Sequence, residues 1–360
     1  MDIKIKGKAK TECLKTISSP ISFKTEKNFC NIFLYFVKYI FYTQRTYFVI
    51  IYQKDKASCM QFAIIGTTAS GKSDLAFDLG LKLDATILSL DSLSVYKKID
   101  IASAKPSSDK LEKIKHFGID EIYPNETFNV TLFFDLYKEA KKEALRKNTP
   151  LIIVGGTSFY LKAMLSGLSD KPIIGKENLS KVSRTLRDIK KAYENMMEID
   201  PFMKEKIEQN DTYRIEKWYE IYFQTKEIPS HFLKRTLREP IIKQIPIFEI
   251  ETEKEVLKKR VINRTKQMIK DGLIDEVARL EKEYSREPNC MKAIGIKEVI
   301  DYFDGIYNLN ELEEKIIINT TKLAKRQRTF NKTQFLEQKM VKKPLHELES
   351  EILKVINNSE

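Results

Sequence analysis

The sequence predicts an α/β protein whose core is a parallel sheet with helices on both faces. Three observations carry this reading. From residue 61 onward, short apolar runs alternate with amphipathic helical stretches, the pattern of a doubly wound parallel sheet. The first run, Gln61-Phe62-Ala63-Ile64-Ile65, leads directly into Gly66-Thr67-Thr68-Ala69-Ser70-Gly71-Lys72-Ser73, which meets every fixed position of the phosphate-binding loop G-x-x-x-x-G-K-[ST]. An amphipathic stretch carrying Leu75, Ala76, Leu79 and Leu83 follows, so the loop has the strand before it and the helix after it that its mechanism requires. The core is therefore expected to be P-loop NTPase-like, with a helical insertion domain and C-terminal helices added to it.

In chain order, the strand candidates are 61–65, Thr86 to Leu90, Ile119 to Tyr123 and Leu151 to Val154. A helix over 131–147 carries Leu132, Leu136, Ala140 and Leu145 on one side and a Lys/Glu face on the other. Between about 170 and 240 the alternation stops, and charged, aromatic-rich helical segments take over. Ile245 to Ile250 reads as a return strand, followed by helices over 253–270, 273–284, 294–303 and 310–330. Beyond about 335 the charged tail reads as a loose terminal helix. The expected divisions are an N-terminal extension (1–59), a core (60–169), a helical insertion (170–240), a segment completing the core (241–335) and a C-terminal tail (336–360).

The net charge of +12 is unevenly spread. Residues 1–58 hold ten Lys and one Arg against four acids, a net +7, which leaves only +5 for the rest of the chain. That balance is compatible with nucleic acid and equally with an ordinary Lys/Glu-rich surface. Lys38, Gln44 and Arg45 interrupt the aromatic-rich run from Phe29 to Tyr52, which argues against a spanning helix, and no small-residue cleavage site follows it. Met60 stands immediately before the first strand, so residues 1–59 are expected to be an upstream extension without a fold of their own. A basic membrane-surface or organellar targeting segment is the alternative. Cys13, Cys30, Cys59 and Cys290 show neither C-x-x-C spacing nor paired histidines, and His116, His231 and His346 are scattered. Zinc sites, a disulfide framework and a Ser-His-Asp triad are therefore disfavoured.

The phosphate loop predicts the grip of a di- or triphosphate. Its glycines let successive backbone N–H groups face one concavity, Lys72 adds a point charge, and the following helix aims its positive end at the anion. The Ser73 hydroxyl is left to ligate Mg2+. No Asn-Lys-x-Asp guanine-reading motif is present, which weighs against a GTPase. Leu88-Ser89-Leu90-Asp91 can be read as a strand ending in a magnesium carboxylate, but Asp91 also opens a polar block running to Pro106 that suits a site better than a core.

The phosphate loop, the Asp91-to-Pro106 block, His116-Phe117-Gly118-Ile119-Asp120 and Gly155-Gly156-Thr157-Ser158-Phe159-Tyr160 occur in the order and approximate spacing of tRNA dimethylallyltransferases. Asn210 to Ile215, Arg264 to Met268 with Gly272 to Val277, Ala293 to Glu298, and Lys325-Arg326-Gln327-Arg328-Thr329 continue the series. Over about 60–335 the chain resembles this family, in its bacterial form, since the zinc finger of eukaryotic cytosolic members is absent. The resemblance implies transfer of a dimethylallyl group from dimethylallyl diphosphate to N6 of adenine 37 in the tRNA anticodon stem-loop, with Mg2+ as cofactor. It also implies a cytoplasmic, monomeric enzyme with no stable membrane partner.

By that resemblance Asp91 is the base that takes the N6 proton, Thr157 hydrogen-bonds the bridging oxygen, and Arg264 assists the departing diphosphate held by Gly66, Thr67, Thr68, Ala69, Ser70, Gly71, Lys72 and Ser73. A helix N-cap is the compatible alternative for Thr157. Asp91, Ser92, Leu93 and Ser94 would contact the flipped base and its neighbours; Tyr213, Arg214, Ile215, Glu216 and Lys217, with Lys325, Arg326 and Arg328, would contact RNA. Read singly, each basic cluster is an ordinary solvated helix face, and the residues give no physical role for His116. The chain departs from the family pattern at Ser94, across Tyr213 to Lys217, and at Phe330. Rival readings are a P-loop small-molecule kinase, an RNA-binding P-loop ATPase, and an adenylate isopentenyltransferase acting on free nucleotides.

Overall fold

The computed structural model describes residues 60–336 and 338–357. The expectations for residues 1–59, and Cys13, Cys30 and Cys59 with them, lie outside the described residues. β1 (Gln61–Ile65), β2 (Thr86–Ser89), β3 (His116–Phe117), β4 (Leu151–Gly155), β5 (Ile247–Glu251) and β6 (Met340–Pro344) form one sheet in the order β3-β2-β4-β1-β5-β6, every neighbouring pair parallel. Ala63 aligns with Ile153 on one side and Ile247 on the other, so β1 sits at the centre.

Strand periodicity decides which helix covers which face. Ala63, Ile65, Leu88, Ile153 and Ile247 point into one apolar cluster, while Phe62, Ile64, Ile87, Ile152 and Phe248 point into the other. Each fully buried Ile or Phe of this kind contributes about 1.5–3 kcal/mol. The second face is covered by α1 (Lys72–Leu83), through Leu75, Ala76 and Leu79. A short α2 (Ser108–Lys113) precedes β3, and α3 (Val130–Lys147) covers the first face through Phe133, Leu136, Tyr137, Ala140 and Ala144. The Asn129 side chain starts α3 by accepting from Leu132 N at 2.9 Å, and Asn148 ends it in the left-handed region at φ +55°. α4 (Ser158–Ser166) follows β4 directly.

The stretch where alternation stops contains α5 (Lys176–Thr185), α6 (Ile189–Ile199), α7 (Thr212–Thr225) and α8 (Pro229–Arg235), packed around their own cluster of Val182, Met196, Ile215, Trp218 and Tyr219. The buried Asp200 carboxylate accepts from Trp218 Nε1 and Ser230 N, both at 3.0 Å, tying three segments together. The chain leaves and returns at one place, where Arg238 N donates to Leu168 O at 3.0 Å. α9 (Lys254–Lys270), α10 (Leu273–Tyr284), α11 (Ile296–Phe303) and α12 (Leu309–Gln334) then add to the fold, and α10, α11 and α12 contribute Val277, Val299 and Leu312 to the first cluster.

Two expectations require correction. The strand expected over Ile119 to Tyr123 is a loop with a single bridge, Tyr96 to Ile122. The chain turns out of the sheet at Gly118 and Asp120, with φ of +78° and +56°, and leaves only His116 and Phe117 paired with β2. The tail beyond 335 is not loose. Met340–Pro344 is the sixth strand, paired with β5, and α13 (Leu345–Asn357) buries Leu348, Ile352 and Ile356 against the α1 face. Among the described residues no helix is long and apolar enough to cross a membrane.

One buried carboxylate holds the polar block in place. Glu276 on α10 accepts from Asp100 N at 2.9 Å, Ile101 N at 2.8 Å and Ala102 N at 2.9 Å. Glu276→Ala strands these donors, each at about 1–3 kcal/mol when desolvated. We expect a loss of about 3 kcal/mol in denaturant unfolding, with Glu276→Gln losing less because it keeps one acceptor.

Candidate active site

The phosphate loop leaves β1 and enters α1 at Gly71, whose φ of +94° is left-handed and strained for any residue with a Cβ. One bond within the loop and two from other segments brace it. Lys72 Nζ donates to Thr67 O at 3.1 Å, Thr68 N donates to Gln327 Oε1 on α12 at 2.8 Å, and Arg260 Nη1 on α9 donates to Ser70 O at 2.8 Å. The side chains of Thr67 and Ser70 are buried, so the loop presents chiefly main chain to its concavity.

Asp91 lies just past β2. Its Oδ1 accepts from Leu93 N at 2.8 Å and Ser94 N at 3.2 Å, which fixes the carboxylate at the mouth of the sheet. Thr157 lies just past β4, its N–H donating to Leu90 O at 3.1 Å. Thr157 occupies the N-cap position of α4, yet its side chain makes no capping hydrogen bond. Between β4 and Thr157, Gly156 permits a close approach: a Cβ there would lie 2.5 Å from Gln327 Nε2 and 3.5 Å from Lys72 Nζ. Gly156→Ala is expected to displace the Gln327 side chain from Thr68 N, leaving Lys72 in ordinary contact, and to weaken diphosphate binding by about tenfold, about 1.4 kcal/mol, measured by calorimetry.

Lys72, Ser73, Asp91, Thr157, Arg264 and Gln327 line one cavity of about 360 Å³, with Val154, Ile294 and Ile316 supplying an apolar floor. A second cavity of about 830 Å³ lies on the Arg260 side of the loop. The two share Lys72, Ser73, Lys105, His116 and Arg264 as a common boundary. A polar site reached from two sides results, at the C-terminal ends of parallel strands where such sheets place their ligands.

The site holds more positive charge than it neutralises. Burial pushes Lys72 down to about 8, with the Asp91 carboxylate opposing that fall and the Arg264 guanidinium adding to it. Burial also holds Arg264 below its ordinary value, again opposed by Asp91. Both cations are thus short of partners and favour an anion between them. Tyr160, stacked on Phe133 at 5.0 Å, is pushed up to about 12, by burial first and then by Tyr96 and Asp91, and stays neutral behind the site. Burial lowers His116, whose Nδ1–H donates to Ile114 O at 2.8 Å.

The residues expected to meet RNA separate into groups. Ser92, Tyr213, Arg214, Lys325 and Arg326 are exposed. Ser94 is buried, its hydroxyl 3.2 Å from Ser89 Oγ and donating to Gly118 O at 3.4 Å, so it shapes the turn rather than meeting a ligand broadly. Ile215 is fully buried in the insertion's cluster and is removed from the contact set. Lys217 is paired with Glu216 at 3.1 Å and Glu220 at 2.5 Å, and Arg328 Nη2 donates to Thr252 O at 2.9 Å, bracing the end of β5. None of Tyr213 to Lys217 lines either cavity.

Two site residues escaped the sequence reading of roles. Gln327 lies inside the Lys325-to-Thr329 block but faces the phosphate loop instead of solvent. Arg260 sits four residues before Arg264, one helical turn away on the same face of α9, and that spacing was its signal. For Mg2+, the exposed Ser73 hydroxyl at the boundary of both cavities is a hard oxygen donor. Magnesium takes few protein ligands and completes its shell with phosphate oxygens and water, so this donor fits it.

A phosphate loop facing a polar cavity on a parallel sheet places the chain among the P-loop α/β enzymes. The family model for IPP transferase matches residues 94–334. The chain is 55% identical, over 296 residues that make up 82% of it and 99% of the relative, to the tRNA dimethylallyltransferase of Nautilia profundicola. Its structure is similar to that of the tRNA isopentenylpyrophosphate transferase of Bacillus halodurans, with a TM-score of 0.60, 26% identity, and coverage of 83% of this chain and 96% of that one. It shares its fold with a eukaryotic dimethylallyltransferase acting on tRNA, at a TM-score of 0.68 and 24% identity over 83% of this chain and 79% of that one. The chain belongs to the IPP transferase family.

Proposed function

We propose that this enzyme transfers a dimethylallyl group from dimethylallyl diphosphate to N6 of adenine 37 in the anticodon stem-loop of tRNA. The observation that carries the reading is the placement of one carboxylate, Asp91, and two partner-poor cations, Lys72 and Arg264, around a single cavity floored by apolar side chains. In the reaction the N6 lone pair forms a bond to C1 of the prenyl group. The C1–O bond breaks, and diphosphate leaves with the electron pair. Lys72 and Arg264 stabilise the charge that builds on the leaving group, a preorganised electrostatic effect that needs no proton transfer to phosphate. Asp91, held by two backbone N–H groups, accepts the proton that N6 sheds.

The Thr157 hydroxyl, free of any capping bond, is available to donate to the bridging oxygen. Ser73 would hold Mg2+, which when bound supplies further positive charge to the diphosphate oxygens. The two cavities meeting at Lys72 and Arg264 support entry of donor and flipped base from opposite sides. The exposed Lys325 and Arg326, on the helix that sends Gln327 into the site, support phosphate-backbone contact close to the chemistry. We place the enzyme in the cytoplasm, acting as a monomer. The test is incubation with Mg2+, dimethylallyl diphosphate and unmodified tRNA carrying adenosine 37, followed by nucleoside mass spectrometry. Prenylated adenosine is expected. ATP turnover without a modified base would instead establish the kinase or ATPase reading.

A further inference from the structure

The match to the family model ends at residue 334, whereas β6 and α13 occupy 340–357. This C-terminal unit reaches the phosphate loop. A Cβ on Gly71 would lie 2.8 Å from Leu345 Cδ2 and 3.8 Å from Arg260 Nη1, so the Leu345 side chain rests on the residue that turns the loop into α1. Leu345 also lines the 830 Å³ cavity beside Lys72, Ser73 and Arg260.

Three attachments fix Leu345 there. β6 pairs with β5, placing Pro344 opposite Glu251 immediately before it. α13 packs Leu348, Ile352 and Ile356 into the cluster that contains Leu75 and Leu79 of α1. Lys82, in the last turn of α1, is ion-paired with Glu349 of α13. The C-terminal unit therefore clamps α1 at both ends, with Leu345 on its first turn and Glu349 on its last.

Gly71 gains its left-handed conformation at little cost, but the freedom that permits it also permits others. Leu345 and Arg260 both pack where a Cβ of Gly71 would lie, and they restrict that freedom. From this geometry we infer that Leu345 is a positioning residue for the donor: it holds Gly71 and the adjoining N–H groups in the arrangement that receives diphosphate. Its contribution falls on donor affinity rather than on the transfer step, because it touches the loop and does not line the cavity that holds Asp91 and Thr157. The inference rests on the proposed reading only in naming diphosphate as the bound group.

The experiment uses the full chain as wild type, Leu345→Ala, Leu345→Val, Leu345→Met and Ile352→Val. Calorimetry with inorganic diphosphate and Mg2+ is read beside steady-state prenylation. Leu345→Ala is expected to weaken diphosphate binding and raise KM for dimethylallyl diphosphate by about tenfold, the kind of loss that follows misplacement of a binding group, with kcat and KM for tRNA essentially unchanged. Leu345→Val should lose less, and Leu345→Met should restore most of the affinity. Ile352→Val removes one methyl group from this packing while Leu348, Ile356, the β5–β6 pairing and the Lys82–Glu349 pair still hold Leu345, so it should lower Tm without moving diphosphate affinity.

Should Leu345→Ala not fold, the Val and Met variants carry the comparison. Wild-type diphosphate affinity in Leu345→Ala or Leu345→Val overturns the inference, as does a loss in Ile352→Val proportional to its loss of Tm. Diphosphate binding by a wild type that prenylates no tRNA removes the proposed function while the calorimetric series still decides on Leu345. Absence of diphosphate binding in wild type overturns both.

Discussion

Asp91→Asn is expected to lower single-turnover prenylation by about 10²–10⁴-fold, the range for losing a positioned general base. The substitution is nearly isosteric. Asn keeps an oxygen for the bonds from Leu93 N and Ser94 N, so the turn after β2 has no reason to move. What is lost is the second carboxylate oxygen as a proton acceptor. Donor binding should not suffer at a pH low enough to keep Lys72 charged: Asp91 opposes the burial-driven fall of both Lys72 and Arg264, and removing it leaves these cations still shorter of partners while shifting the loss of the Lys72 proton to lower pH. The expected pattern is thus a collapsed rate with unchanged or tighter binding of inorganic diphosphate. A variant that retains more than about a tenth of the wild-type rate removes Asp91 from the base role, since proton transfer would then be carried elsewhere. Weaker diphosphate binding would instead show that Asp91 acts chiefly through the metal.

Much of the fold was legible because its signals are local. The phosphate loop, the strand before it and the helix after it are contiguous, and alternation along β1, β4 and β5 matches the two apolar clusters residue by residue. Where the signal was not local, the reading failed. Met340-Val341-Lys342-Lys343-Pro344 reads as surface, yet it is an edge strand, where charge and proline are tolerated, and Lys342 is paired with Glu249 of β5 at 3.1 Å. Ile215 travelled with its polar neighbours in a sequence block, but on a helix it lies on the same face as Trp218 and Tyr219, and that face is buried. The site shows the same division. Asp91 and Thr157 stand at strand ends, which a sequence pattern can place. Arg264 was reached only through the family resemblance and the role of Gln327 not at all, because their convergence on the same cavity depends on how α9 and α12 pack, and nothing in their spacing from the loop encodes it.

Lys72→Met should separate function from stability. Removing the charge that meets the diphosphate is expected to reduce kcat/KM for the donor by about 10²–10³-fold, comparable to deleting one preorganised electrostatic contact. The wild-type pH profile follows from the same residue. With Lys72 near 8 in the free enzyme, kcat/KM for the donor should fall as pH rises through 8, and this limb should be missing from Lys72→Met. Stability moves the other way. The folded value lies below the ordinary 10.5, so between about 8 and 10.5 the unfolded chain binds more protons, and stability rises with pH across that window. Below 8 a charged, desolvated Lys72 costs the fold its full penalty. Lys72→Met should therefore raise Tm at neutral pH while it suppresses activity, and the gain should shrink as pH approaches 10. A lysine kept for packing or ion pairing gives the opposite sign, with Tm falling on substitution, and thermal melts across that pH range distinguish the two.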